Sequence, residues 1–181
     1  MADITVSAIP DRLPSKADAL APSAEPAWDI IELLFFAYRD FVADADAVLA
    51  GYGFGRAHHR VLHFVYRHPG MKVADLLDIL RITKQSLGRV LKQLIDQEFV
   101  EQKEGANDRR QRLLSVTPKG EALALRLAGL QTTRIARALA ELGPGSHEAA
   151  RRFLLAMINV ESRDGVLRLM ARADRIRGAR K

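Results

Sequence analysis

Hydrophobic residues recur at alternating three- and four-residue steps over much of the chain, which is the spacing of an α-helix. The clearest case lies between Trp28 and Leu49, where a second apolar stripe runs beside the first. Two adjacent stripes make a face too wide for a helix with one neighbour. The pattern therefore predicts a helix that packs against its own domain on one side and against a second copy of the chain on the other.

The remaining pattern divides into short helices, two strands and two longer helices. After a glycine-rich turn, helices are predicted over residues 56–67, 73–80 and 84–97, the last with Thr83 as its N-cap. Residues 99–103 and 112–116 are rich in β-formers and predict two strands joined by a polar loop. Pro118 opens a helix to about Leu142. Ser146 caps a sixth helix with five inward residues: Ala149, Phe153, Met157, Val160 and Leu167.

These elements predict a mostly α protein with a small β-hairpin, organised as a winged helix-turn-helix flanked by N- and C-terminal dimerisation helices. The winged helix-turn-helix spans residues 54–117, and the helical dimerisation region spans residues 26–52 and 118–172. Residues 1–25 contain three prolines and show no periodicity, so we expect a disordered arm. Residues 173–181 form a basic tail.

The helix predicted over residues 84–97 has an apolar side and a polar side. Leu87, Val90, Leu91, Leu94 and Ile95 share the apolar side. The polar side collects Gln85, Arg89, Lys92, Gln93 and Asp96, with Ser86 and Gly88 at its flanks. Glutamine can pair with adenine, arginine with guanine, and lysine and serine with phosphates, so this side suits the major groove of DNA. A solvated helix surface has a similar composition, and the helix alone does not separate the two interpretations.

The loop between the predicted strands favours the DNA interpretation. Arg109, Arg110 and Arg112 carry three close positive charges, which repel one another unless an anion lies nearby. Arginine inserted into a narrow minor groove is a recurrent use of such a loop. Asp108 can pair with one arginine and fix its direction.

Several of these residues together resemble a known family. Asp108, Arg110, Val116-Thr117 and Gly120 match the wing signature of the MarR (multiple antibiotic resistance regulator) family of bacterial transcription regulators. The similarity extends through Val100-Glu101 and the leucines at 76, 80, 87, 91 and 94. The central part of the resemblance covers residues 70–120. The order of the helices on both sides also resembles the family, which extends the resemblance to most of the chain.

The resemblance implies a homodimer in which the first, fifth and sixth helices interlock. Two winged helices would bind a short inverted repeat in double-stranded DNA near a promoter, and a small ligand would weaken that binding. It further implies that Arg110 is the minor-groove arginine and Asp108 its partner. The residues placed on the recognition helix are Lys84, Gln85, Ser86, Arg89 and Lys92.

The sequence departs from the family pattern at two positions. Glu98 stands where the family usually has glycine after the recognition helix, so the turn must form without the residue best suited to a positive φ. Gly88 stands where a hydroxyl residue is common, so base preferences of the family do not transfer to this chain.

Charge and composition agree with a DNA partner. The net charge is +6 and the pI about 10.0. Residues 81–119 hold nine basic and five acidic side chains, whereas residues 26–50 hold one basic and five acidic ones. The chain has no cysteine, which excludes disulfides and thiolate metal sites. No signal peptide and no apolar run long enough to cross a membrane is visible, so we expect a cytoplasmic protein.

Other sites have weaker support. His59 and His63 are one helical turn apart and raise the hypothesis of a metal-responsive regulator, although no further ligand is evident. An effector pocket could use aromatic and basic residues, namely Trp28, Phe35, Tyr38, Arg39 and Tyr66. No nucleophile–base pair or phosphate-binding glycine loop is present, so we expect neither an enzyme nor a cofactor. A remaining alternative is a protein-interaction module that keeps the fold and has lost operator binding.

Overall fold

A computed structural model describes residues 25–105 and 111–178 of the chain. Its elements follow in the order α1 (Trp28–Ala50), α2 (Arg56–Arg67), β1 (Met71–Lys72), α3 (Val73–Leu80), α4 (Lys84–Asp96), β2 (Val100–Glu104), β3 (Arg112–Val116), α5 (Pro118–Leu142), α6 (Ser146–Met157) and α7 (Val160–Gly178). The mostly helical fold with a small antiparallel sheet confirms the predicted class. The disordered arm predicted for residues 1–25 lies, up to residue 24, outside the described residues.

Helix α1 crosses the boundary between two compact units, which divide after Ala37. In the first unit its side chains are exposed, with Trp28 at 63% and Phe35 at 69% of full exposure. In the second unit, Val42, Ala45 and Leu49 are buried. Only the later turns of the helix thus bury the predicted apolar stripe within the chain.

The core of the second unit lies between α2, α3, α4, the sheet and the start of α5. Each helix contributes its periodic apolar side, as with Val61, Leu62 and Val65 of α2. Phe99, at the end of the turn after α4, is the largest fully buried side chain. Burying such a side chain stabilises the fold by roughly 1.5–3 kcal/mol, which fixes α4 against the sheet.

The sheet has three strands, one more than the predicted hairpin. Strand β3 lies in the centre and pairs antiparallel with both neighbours, with Met71 opposite Leu114 on one side and Val100 opposite Val116 on the other. Strand β1 has only two residues, too few to show the alternation that marks a strand in sequence. The hairpin prediction was therefore incomplete.

The sixth predicted helix is two helices in the structure. Helix α6 ends at Met157, where Ile158 adopts an extended backbone conformation, and α7 begins at Val160. The guanidinium group of Arg163 donates to the carbonyl oxygens of Ala156 and Ile158, which satisfies the end of α6. The apolar spacing continues across this break, so periodicity alone predicted one helix.

Helix α7 packs on α2 and extends beyond residue 172, where the basic tail was predicted to begin. Ala173 is buried, Leu169 packs against the core, and Asp174 pairs with Arg67 at 3.0 Å. Residues 173–178 are thus part of a docked helix, while residues 179–181 lie outside the described part of the chain. Within the described ranges, no helix is long and apolar enough to cross a membrane.

Candidate nucleic-acid interface

Helix α4 begins at an N-cap that orients its first turn. The hydroxyl oxygen of Thr83 accepts from the backbone N–H of Ser86 at 3.1 Å, and the same hydroxyl donates to the Ser86 hydroxyl oxygen at 2.9 Å. This confirms Thr83 as the cap. Because the Thr83 proton is directed at Ser86, the proton of the Ser86 hydroxyl remains available for an outside acceptor.

The polar side of α4 faces solvent along its whole length. Leu87, Val90, Leu91 and Leu94 are buried on the opposite side. The five residues predicted to contact DNA are all exposed: Lys84, Gln85, Ser86, Arg89 and Lys92. Lys92 pairs with Asp96 one turn later, whereas Lys84 and Arg89 form no ion pair with any described residue. Two cations and an amide are thus free to meet a polyanion.

Gln93, on the same polar side, has a partner inside the domain. Its side-chain oxygen lies 2.6 Å from Nε2 of His58 at the start of α2. The Nδ1 atom of His58 accepts from the backbone N–H of Gly55 at 3.1 Å, which completes the cap of α2. The imidazole ring also stacks on Phe54, with ring centres 4.6 Å apart. Sequence patterns alone did not identify this contact, because His58 and Gln93 are 35 positions apart.

In the described part of the wing, strands β2 and β3 pair antiparallel. Arg112 at the start of β3 binds Glu104 at the end of β2, with 2.8 Å between their charged atoms. The backbone N–H of Gly105 donates to the Gln111 carbonyl and closes the base of the loop. The predicted contact residues Asp108, Arg109 and Arg110 lie outside the described residues. Arg112 is exposed and forms an ion pair with Glu104, so its charge is partly neutralised within the wing.

The turn between α4 and β2 fixes the wing relative to the recognition helix. Glu98 has a φ of 61°, the left-handed conformation that this turn requires and that glycine would adopt at less cost. Its carbonyl oxygen accepts from the hydroxyl of Thr117 at 2.6 Å. Lys119 donates to the Gln97 carbonyl oxygen and lies 4.4 Å from the centre of the Phe99 ring. These three contacts of Thr117 and Lys119 stabilise the turn and offset the unfavourable positive φ of Glu98.

The two histidines of the metal hypothesis do not complete a site in the described ranges. Burial lowers the pKa of His59, and Asp46 opposes that shift. The pKa of His63 falls to about 4, mainly because its ring loses solvent and further because His59, Arg67 and His68 lie nearby, although part of the side chain remains exposed. No group of three potential ligands surrounds them among the residues described.

The residues proposed for an effector pocket differ in their surroundings. Tyr38 lies under the guanidinium group of Arg56 at 5.9 Å, Arg39 pairs with Asp40, and Tyr66 packs against the core. Trp28 and Phe35 are exposed on the first turns of α1. A cleft of about 250 Å³ between α6 and α7 is lined by other residues, including Arg151, Leu155 and Met170. None of the predicted effector residues lines this cleft.

A winged helix with an exposed, basic recognition helix defines a class of DNA-binding regulator, and comparison with known proteins identifies the family. A sequence model of the MarR family matches residues 52–111. The HTH-type transcriptional regulator PetP of Rhodobacter capsulatus is 45% identical over 129 residues, which cover 71% of this chain and 78% of PetP. The chain belongs to the MarR family of transcription regulators, which are DNA-binding proteins and not enzymes.

Solved structures share this fold. A mutant of the Staphylococcus aureus regulator MepR bound to an oligodeoxyribonucleotide has a TM-score of 0.52 at 18% identity, covering 74% of this chain and 96% of MepR. A Mycobacterium tuberculosis MarR family protein in complex with p-aminosalicylic acid has a TM-score of 0.52 at 24% identity, covering 72% and 96% of the two chains. At these identities the likeness shows the common fold alone.

Proposed function

We propose that this protein is a homodimeric, sequence-specific regulator that binds an inverted repeat in double-stranded DNA and is released by a small ligand. The observation that supports it most is the polar side of α4, where Lys84, Gln85 and Arg89 are exposed and free of ion pairs with described residues. A solvated helix surface would favour internal i,i+4 pairs like that of Lys92 and Asp96. The first turns of α4 lack such pairs, which leaves Lys84 and Arg89 available for DNA.

Roles divide by chemistry along α4 and the wing. Arg89 and Gln85, near the centre of the polar side, contact base edges in the major groove. Lys84, Ser86 and Lys92 contact phosphates, and the Ser86 hydroxyl retains a proton for that purpose. In the wing, Arg110 enters the minor groove beside Asp108, while Arg109 and Arg112 strengthen the local positive potential.

The homodimer is supported by apolar surface that the single chain leaves exposed. Helix α6 buries none of its residues, and Leu154 and Met157 are 57% and 51% exposed. The first turns of α1 and parts of α5 and α7 expose further large apolar side chains. Large apolar side chains exposed in such number favour an interface. Two-fold symmetry of the dimer then matches two half-sites of opposite direction.

Ligand release has narrower support. An oxygen of Asp46 and the Nε atom of Arg134 are buried without a hydrogen-bond partner among the described residues. Both belong to the unit that contains five of the seven candidate ligand residues, namely Tyr38, Arg39, His59, His63 and Tyr66, while Trp28 and Phe35 lie in the other unit. A polar ligand would satisfy such atoms. The M. tuberculosis relative was solved with p-aminosalicylic acid, so aromatic carboxylates are the first ligands to test.

Selection of bound fragments from the source genome with purified protein tests the proposal directly. Recovered fragments should share an inverted repeat, and sedimentation should show two chains on each duplex. Adding an aromatic carboxylate should lower the affinity. Recovery of fragments without a common sequence would leave a DNA-binding protein without sequence specificity, and recovery of none would favour the protein-interaction module.

A further inference from the structure

We propose that Gln93 donates a hydrogen bond to a phosphate oxygen of bound DNA and that His58 is the positioning residue that aims it. Neither residue belongs to the predicted DNA-contacting set. The inference rests on the proposed function, because it takes α4 as the helix that enters the major groove. It adds a contact made by a neutral side chain at the junction of α2 and α4.

The hydrogen bonds of His58 determine where its proton lies. Its Nδ1 atom accepts from the backbone N–H of Gly55, so a neutral imidazole must carry its proton on Nε2. That proton points at Gln93, whose nearest atom is therefore the amide oxygen, at 2.6 Å. The identity of both amide atoms of Gln93 follows from this chain of donors and acceptors.

His58 takes one lone pair of the Gln93 oxygen, and both amide N–H donors of Gln93 remain. No described residue accepts a hydrogen bond from its amide nitrogen, and the side chain is exposed. Glutamine that recognises adenine must accept and donate at once. The bond to His58 fixes the orientation of the Gln93 amide, so its oxygen stays turned toward His58 and not toward a base edge. Its free amide protons therefore suit an oxygen that only accepts. A phosphate oxygen is such an acceptor.

The position of Gln93 also favours a phosphate. It lies one turn after Arg89, so it shares the polar side of α4 but is further from its N-terminus. On one flank it meets the first turn of α2, where Gly55, Arg56 and Ala57 are exposed. The N-terminus of a helix carries partial positive charge and attracts phosphate. Gln93 thus projects at the border of the groove-facing surface rather than at its centre.

The contact is built rigidly. His58 is 9% exposed, its ring stacks on the buried Phe54, and Phe54 packs edge-on against Phe99 at 5.2 Å. The ring is consequently held from one side by aromatic packing and from the other by the cap of α2. A side chain aimed by such a ring loses little conformational entropy on binding DNA.

Substitution of Gln93 distinguishes three kinds of contact: a neutral hydrogen bond to phosphate, recognition of a base, and attraction by a charge. Gln93→Ala should lower the affinity for the selected operator and for a scrambled duplex equally, by about tenfold, as for one hydrogen bond to a charged group. The salt slope should not change, because no cation is lost. The matched control, Lys84→Ala, should also weaken both duplexes equally but lower the slope by about 0.9. Gln93→Glu should lose more affinity than Gln93→Ala, since its carboxylate faces the phosphate.

Substitution of His58 tests the positioning role. In His58→Asn, the short amide can still accept from Gly55 but cannot reach Gln93. This variant should lose as much DNA affinity as Gln93→Ala, and the double variant should lose no more than either single one. His58→Gln, whose amide nitrogen can occupy the place of Nε2, should recover part of the affinity. Thermal unfolding of each variant shows whether it is folded. If the His58 variants do not fold, the substitutions of the exposed Gln93 alone test the phosphate contact.

Three results would overturn the inference. They are unchanged affinity in Gln93→Ala, a change in the ratio between the two duplexes, and equal losses in Gln93→Ala and Gln93→Glu. If instead Lys84→Ala leaves the salt slope unchanged, the placement of α4 in the groove is wrong and the proposed function fails first. The two failures are thereby distinguished.

Discussion

At the scale of single residues, Gly120 shows how closely the wing is fixed to the helix that follows it. A Cβ atom at this position would lie 1.9 Å from the carbonyl oxygen of Phe99, which is backbone and cannot rotate away. The N–H of Gly120 also donates to the hydroxyl of its cap, Thr117. The family's wing signature at this position thus has a steric cause.

Gly120→Ala should therefore lower the free energy of unfolding by about 3 kcal/mol, the upper range for overpacking a filled site. Denaturant titration of the purified variant measures this. The control is Gly165→Ala in α7, where the added Cβ meets nothing within 4 Å. That change should raise stability by up to about 1 kcal/mol through helix propensity. A Gly120→Ala protein as stable as the wild type would contradict the steric argument.

Glu98 gives the opposite case, a residue that the backbone conformation does not favour. Its φ of 61° costs a residue with a Cβ about 1 kcal/mol relative to glycine. Glu98→Gly should raise the free energy of unfolding by roughly that amount, because the side chain is exposed and forms no ion pair with a described residue. In the neighbouring Gln97, with a φ of −94°, glycine should instead destabilise. Thermal unfolding of both variants would show whether the signs differ.

Arg110 remains a prediction from the resemblance, because it lies outside the described residues. Arg110→Ala should weaken operator binding by roughly 1–3 kcal/mol and leave the unfolding temperature unchanged. The measurement is a gel-shift titration at fixed salt, with circular dichroism as the folding control. Equal affinities of variant and wild type would remove Arg110 from the interface.

At the scale of elements, α4 allows base recognition to be separated from charge. Arg89 lies near the centre of the polar side, whereas Lys84 is at the N-terminus, and neither pairs with a described residue. Arg89→Ala should reduce discrimination between operator and scrambled duplex by about 1–3 kcal/mol. Lys84→Ala should leave that discrimination unchanged.

The two substitutions remove the same charge, so simple electrostatics predicts the same result for both. Affinities for both duplexes at several salt concentrations distinguish the cases. An equal fall in specificity, or none in either variant, would show that base recognition lies elsewhere or depends on DNA shape.

Sequence predicted best those elements that have local start and stop signals. The cap Thr83 and the Thr117-Pro118 pair mark the starts of α4 and α5, and both helices begin where predicted. Strand β1 and the break after Met157 lack such signals. The first forms because Met71 pairs across the sheet with Leu114, a tertiary contact. In the candidate site, exposure of the five α4 residues followed from periodicity, while the contact of His58 with Gln93 depends on how two helices pack.

At the scale of the whole molecule, the exposed apolar side chains of α6 bear on the proposed dimer. The chain should be an obligate dimer, with light scattering giving twice the chain mass at micromolar concentration. Leu154→Glu should shift the mass toward a single chain or reduce folding, because it places a charge in the interface. Asp78→Lys, at a position on α3 that is also exposed, is the control and should leave the mass unchanged. A stable folded monomer of the wild-type protein would refute the assembly.

A helix that buries nothing within its own chain has a consequence for gene control. In the proposed assembly, mass action makes the paired form grow with the square of chain number wherever most chains are single. At chain concentrations below the dissociation constant of the dimer, halving the number of chains in a cell would lower the DNA-competent form by about fourfold. In that range the promoter would respond to regulator abundance more steeply than in proportion, and that steepness would arise from α6 and not from the helix that contacts base pairs.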